Sequence, residues 1–117
     1  LREVPVTLNG METWVAGALD SGSELVVISR RKVEELGLEV NGERRLVMEA
    51  ANGSRETMKG CVEWLEVGVG GLQTWAHAFV VENAPFDLLL GLPWQHSVQM
   101  RLEMKEGGKV DVVVHDP

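Results

Sequence analysis

The chain repeats itself. At an offset of 61 residues, Val6-Thr7-Leu8-Asn9-Gly10-Met11-Glu12-Thr13-Trp14 runs beside Val67-Gly68-Val69-Gly70-Gly71-Leu72-Gln73-Thr74-Trp75, with valine, glycine, threonine and tryptophan identical at matching places. At the same offset Leu25-Val26-Val27-Ile28 falls opposite Phe86-Asp87-Leu88-Leu89, just before Gly91-Leu92-Pro93. Each half reads as hairpin, buried strand and short helix, which predicts a fold with internal twofold symmetry. The plainer alternative is that two hairpins share turn chemistry by coincidence.

Asn9-Gly10 between residues 4–8 and 11–19, Asn52-Gly53 between 46–50 and 55–61, and Gly70-Gly71 between 62–69 and 72–81 are hairpin signals, because tight hairpin turns need positive φ. Helix is expected only briefly. Ser29 can cap residues 30–36, and Gly37 stands where a left-handed C-terminal residue is wanted. Arg30, Arg31 and Lys32 oppose the helix dipole, so this segment must lean on packing through Val33 and Leu36. Pro93 suits the first position of a second turn over residues 93–97. The expectation is a single all-β domain over residues 1–117, with one or two short helices.

Hydrophobic residues make up 44% of the 117 and charged residues 25%, an ordinary globular balance. No apolar run approaches the roughly 20 residues of a membrane span, and no charged-then-apolar leader precedes Leu1; no membrane association and a domain of a longer polypeptide are expected. The formal net charge of -7 argues against a phosphate backbone as direct partner. Cys61 is the one cysteine, which fits a reducing, cytoplasmic setting. His77, His96 and His115 lack zinc-cluster spacing, and Gly68-Val69-Gly70-Gly71 lacks the Lys-Ser or Lys-Thr of a phosphate loop. Trp14, Trp64, Trp75 and Trp94 have no interleaved basic residues, so core and interface packing is expected of them rather than base stacking.

Asp20-Ser21-Gly22-Ser23 lies between apolar Ala16-Gly17-Ala18-Leu19 and the run Leu25 to Ile28. A carboxylate set between two core strands is costly unless bonded or paired. Taken alone, the tetrapeptide is as well explained by turn formation.

Its context resembles the active-site loop of aspartic proteases, where Asp-(Ser or Thr)-Gly-(Ser or Ala) follows a strand. Asp87-Leu88-Leu89-Leu90-Gly91-Leu92-Pro93-Trp94 resembles the apolar-apolar-Gly segment that completes the retropepsin core, and its Leu-Gly-Leu-Pro-Trp is most similar to proteases of gypsy-type LTR retrotransposons and their domesticated descendants. The matched features span residues 4–102. Two departures stand out: Leu92 replaces the arginine that retroviral members carry after the second-motif glycine, and the loop at residues 50–54 holds one glycine rather than several.

The resemblance implies a closed, barrel-like acid-protease fold and a symmetric homodimer, since the second half holds no second Asp-Ser-Gly and Asp87 stands near the equivalent place without it. Asp20 would be the catalytic carboxylate of each subunit, the pair sharing a proton and activating water on a peptide or polyprotein substrate without metal or cofactor. Ser21 would grip the other subunit's backbone, Ser23 would bond the outer oxygen of Asp20, and Gly22 would offer its carbonyl to substrate. Glu24 would border the cleft, Leu89 would stand on a pocket wall with Phe86 near it, and Ala51, Asn52 and Gly53 would form a flap. Residues 109–114 and 1–4 would join an intersubunit sheet. A ubiquitin-shuttle retropepsin of the DNA-damage-inducible family, and a non-catalytic dimerisation or peptide-binding module, are the other readings.

Overall fold

Among the described residues, ten strands and two short α-helices follow one another as the turn signals require: β1 (Arg2–Leu8), β2 (Trp14–Leu19), β3 (Val26–Ser29), α1 (Arg30–Leu36), β4 (Leu46–Glu49), β5 (Arg55–Met58), β6 (Cys61–Val69), β7 (Leu72–Val81), β8 (Leu88–Leu90), α2 (Leu92–Ser97), β9 (Arg101–Met104) and β10 (Val110–Val113), with one 3-10 turn at Glu106–Gly108. They come from a computed structural model, which describes residues 1–49 and 51–117. Six strands close a barrel in the order β1-β2-β8-β3-β7-β6, while β4-β5 and β9-β10 form separate two-stranded sheets.

The repeat is the symmetry of this barrel. β2 lies parallel to β8 and β3 parallel to β7, two pairings that the 61-residue offset exchanges. The pairings on the pseudo-axis map onto themselves: Val27 opposite Leu89 becomes Leu88 opposite Ile28, and Thr7 faces its own counterpart Gly68. β3 and β8 are buried along their whole length, which is why both read as unbroken apolar runs rather than as alternation. β7 alternates, with Thr74, Ala76, Ala78 and Val80 turned inward. The core gathers Val6, Leu8, Ile28, Leu65, Val67, Leu88 and Leu90 around Trp94. Truncating one of these leucines to alanine costs about 2–5 kcal/mol.

Trp94 is 1% exposed and its indole N–H donates to Thr74 Oγ1 at 2.8 Å; that hydroxyl in turn donates to Val67 O at 2.6 Å. Trp94 is in the core, as expected of a tryptophan here; Trp14, Trp64 and Trp75 are outside it and exposed on the protomer. Trp14 and Trp75 occupy equivalent outward positions at or near strand starts, where period-two alternation sends them to solvent.

Two hairpins are looser than a two-residue turn. Asn9 and Gly10 have φ of 50° and 72°, and Met11 N–H bonds Leu8 O at 3.0 Å. Yet β2 resumes only at Trp14, because Asn9 is claimed by β6: its N–H donates to Glu66 O, and its Oδ1 accepts from Glu66 N–H, both at 2.9 Å. In the middle hairpin the described residues between β4 and β5 are 51–54; Ala50, within the expected strand and flap, lies outside the described residues. The strand expected over 55–61 breaks after Met58. Gly70-Gly71 does make the two-residue turn, with φ of 55° and 84°.

Ser29 Oγ accepts from Lys32 N–H at 3.1 Å and Gly37 closes α1 at φ 66°. The cations at its start are answered by acids: Arg30 pairs with Glu82, Arg31 with Asp87, and buried Lys32 with Glu35. The C-terminal strand pairs within the chain, Val110–Val113 against Arg101–Met104, and residues 2–4 pair with β2. The edge of β1 opposite β2 meets β6 only at Thr7 and Leu8, so Pro5, which has no N–H to donate, sits where nothing asks for one.

Candidate active site

Asp20 follows the last residue of β2, and its backbone N–H carries the parallel β2-β8 pairing one step further, to Leu90 O at 3.3 Å. A tight turn follows, closed by Ser23 N–H on Asp20 O at 3.2 Å. Within it Gly22 N–H donates to Asp20 Oδ1 at 2.9 Å, and among the described residues no donor bonds the second carboxylate oxygen. Gly22 is not needed for positive φ. A Cβ there would lie 3.1 Å from Asp20 Oδ1, so its lack of a side chain lets the carboxylate fold over the backbone N–H.

The turn crosses the second motif at Gly91. Leu92 N–H donates to Ser23 O at 2.8 Å, and a Cβ on Gly91 would fall 2.0 Å from Leu25 O and 2.6 Å from Ser23 O. Only glycine lets these two backbones meet. The two segments singled out in the sequence are thus one structural unit.

Ser23 bonds differently from expectation. Its Oγ both donates to Leu25 O at 3.0 Å and accepts from Leu25 N–H at 3.2 Å, not from or to Asp20, because a short hydroxyl reaches the backbone two residues on. Ser21 Oγ donates to Gln95 Oε1 at 3.0 Å within the same chain. Gln95, buried at 5% exposure, also donates from Nε2 to Leu90 O at 2.8 Å, which fixes the orientation of its amide. Sequence reasoning missed Gln95; its only signal is a position in α2 one turn past Gly91, facing the loop.

Beside this turn lies a groove of about 380 Å³, walled by Ser23, Leu25, Val27 and Leu89 from the barrel, with Phe86 and Pro85 at one side and Met48, Glu56 and Met58 of the β4-β5 hairpin across it. Leu89 and Phe86 therefore stand on its wall. Glu24, Gly22, Ala51, Asn52 and Gly53 are exposed and are not among its lining residues. Asn52 instead holds its own loop, accepting from Ser54 N–H and Ser54 Oγ at 3.0 and 2.6 Å. Asp87 lies six positions past the place equivalent to Asp20, on the far side of Ser29, which pairs with Val81 and donates its N–H to Asp87 O at 2.9 Å; the Asp87 carboxylate meets Arg31 at 2.8 Å and Lys32 at 3.9 Å. At the 61-residue offset, Asp20-Ser21-Gly22-Ser23 corresponds to Val81-Glu82-Asn83-Ala84.

A family model described as aspartyl protease matches residues 4–94. The chain belongs to the aspartyl protease family, and its fold is retropepsin-like. It is similar to the retroviral protease-like domain of Ddi1 from Leishmania major, with 24% identity over 95% of this chain and 92% of that one and a TM-score of 0.71. It also shares its fold with Lpg0085 of Legionella pneumophila, a protein of unknown function, at 14% identity over 80% and 83% of the two chains and a TM-score of 0.52. No curated protein sequence matches it. Among the described residues no helix is long and apolar enough to cross a membrane.

Proposed function

We propose that the chain is one protomer of a homodimeric aspartic endopeptidase, with Asp20 contributed by each copy. The observation that carries this reading is the asymmetry of an otherwise symmetric barrel. The second half repeats the strands and helix of the first, yet has Val81 where the first has Asp20, so a second carboxylate has to come from a second copy. An isologous pairing about a twofold axis supplies it.

Two carboxylates brought together at such an axis share one proton. The ionised Asp20 takes a proton from a water held between them, the water oxygen attacks the scissile carbonyl carbon, and the partner subunit's Asp20 protonates the carbonyl oxygen. Collapse of the tetrahedral diol breaks the C–N bond as the Asp20 that took the water's proton passes it to the leaving amine, while the partner subunit's Asp20, now ionised, takes a proton back from a diol hydroxyl. Gly22 N–H on Asp20 Oδ1 orients the carboxylate. The groove by Leu89 receives apolar side chains, and the β4-β5 hairpin serves as the flap that shuts out water. Ser21 to Ser23 hold the turn, Ser21 through Gln95.

The substrate is a peptide segment of a larger protein, in a retroelement polyprotein of gypsy type or a domesticated equivalent. The similarity to the Ddi1 domain favours a second setting, a ubiquitin-shuttle protein carrying the same domain. A peptide-library digest by wild type and Asp20→Asn tests the activity. Cleavage by wild type alone is the expected result; cleavage by neither would return the chain to a peptide-binding or dimerisation module.

A further inference from the structure

A second cavity, of about 330 Å³, lies beyond the groove. β7 turns Trp75, His77 and Phe79 to one outward face, as alternate residues of a strand must be. Opposite them β6 carries a bulge: Val62 pairs with Ala78 and Leu65 with Ala76, so Glu63 and Trp64 together face His77. Trp64 sits at φ 51°, a left-handed conformation that a bulky side chain adopts only at steric cost. It is kept there by His77, whose Nδ1 accepts from Trp64 N–H at 3.1 Å and whose ring meets the indole edge to face at 4.6 Å. Arg44 forms a further wall, its guanidinium 5.6 Å over the Phe79 ring and paired with Glu63 at 3.0 Å.

The cavity and the groove share Leu25 as a common wall. The repeat supplies an internal comparison. Trp14, the counterpart of Trp75, stands over a depression of about 270 Å³ lined by Glu3, Val4 and Ala16, with no second aromatic residue and no lining residue in common with the groove. Of the two equivalent tryptophans, Trp75 is built into an aromatic pocket that shares a wall with the groove, and Trp14 is not.

We propose that this pocket is an outlying substrate subsite: a peptide lying in the groove continues past Leu25 and places a large apolar or aromatic side chain, remote from the scissile bond, between Trp64 and Trp75. The lining selects that chemistry. It offers ring faces, its guanidinium is already answered by Glu63, and Trp64 and Trp75 are 72% and 45% exposed, apolar surface that such a side chain would cover. The proposal rests on the peptidase reading, whose failure the test separates.

Two fluorogenic peptides are compared, one long enough for the groove alone and the same sequence with tryptophan-bearing extensions at both ends. The quantity read is the ratio of their KM values within each variant. In wild type and Trp14→Ala the extension lowers KM on the order of tenfold, the worth of burying one aromatic side chain. In Trp64→Ala and Trp75→Ala the gain falls below about twofold, and Trp75→Phe restores most of it. A gain that survives both alanine variants, or no gain in wild type, overturns the subsite. If no peptide is cut, the same comparison is made by fluorescence titration of Asp20→Asn with the two peptides. Tighter binding of the extended one that needs Trp64 and Trp75 upholds the subsite while the peptidase reading fails, and equal affinities sink it.

Discussion

The hydroxyl of Ser21 donates to the amide oxygen of Gln95 across 3.0 Å, joining positions 74 apart in the chain. The same amide donates to Leu90 O, beside the point where Asp20 N–H also bonds that carbonyl. One buried side chain in α2 therefore ties the turn that carries the proposed catalytic carboxylate to the end of the strand behind it.

Replacing Gln95 by leucine removes both bonds and leaves the buried amide's partners short. Gln95→Leu is expected to lower stability by about 1–3 kcal/mol, read as a lower urea midpoint with unchanged slope. A midpoint equal to that of wild type would contradict the role given to this residue.

Gly91 sets the harder constraint. Any Cβ there meets two backbone carbonyls at 2.0 and 2.6 Å, neither of which can rotate aside. Gly91→Ala is expected to cost more than about 3 kcal/mol or to prevent folding, whereas Gly42→Ala, whose Cβ meets nothing within 4 Å, is expected to stay near wild type. Thermal unfolding of the two variants side by side decides it.

These tertiary details mark the limit of what the residues disclosed in one dimension. The repeat, the Ser29 cap, the Gly37 stop and the Gly70-Gly71 turn are local or periodic signals, and they located the barrel halves and α1 within a residue or two. The late start of β2 was hidden because Asn9 answers to β6, a strand more than 50 positions away. Trp64 and Trp75 read as core or interface residues, and one dimension could not divide the two; the bulge that turns Trp64 outward has no sequence mark. The Asp20 motif was legible as chemistry, but Gln95 was not, since nothing in a glutamine announces which buried carbonyl it will reach.

Acid should loosen the wall around Arg44. Hydrogen bonds from Asn41 and Arg44 hold the Glu63 carboxyl below its ordinary value, as those from Arg101 and Lys105 do for Glu103. A carboxylate with a depressed folded value stabilises fully above its unfolded value, near 4.5, and that contribution is lost as pH falls through the folded one. The stability difference between wild type and Glu63→Gln should accordingly be largest near neutrality and shrink below about pH 4. A difference that grows on acidification would reverse the sign and refute the assignment.

Peptide cleavage should be bell-shaped with pH and greatest at about pH 4 to 6, where a coupled pair of carboxylates carries one proton. A rate that rises monotonically through neutrality would point to a different general base.

The central claim, that each active site is assembled from two copies of Asp20, is tested most directly by mixing. Wild type is combined with increasing Asp20→Asn under conditions where subunits exchange, and cleavage is recorded at fixed wild-type concentration and fixed total protein, made up with an inert protein in the control. The account predicts that activity per wild-type chain falls in proportion to the wild-type fraction, because mixed dimers hold one carboxylate and are inactive. Activity per wild-type chain that is indifferent to added Asp20→Asn, with exchange verified, would show that one chain suffices and would contradict the account.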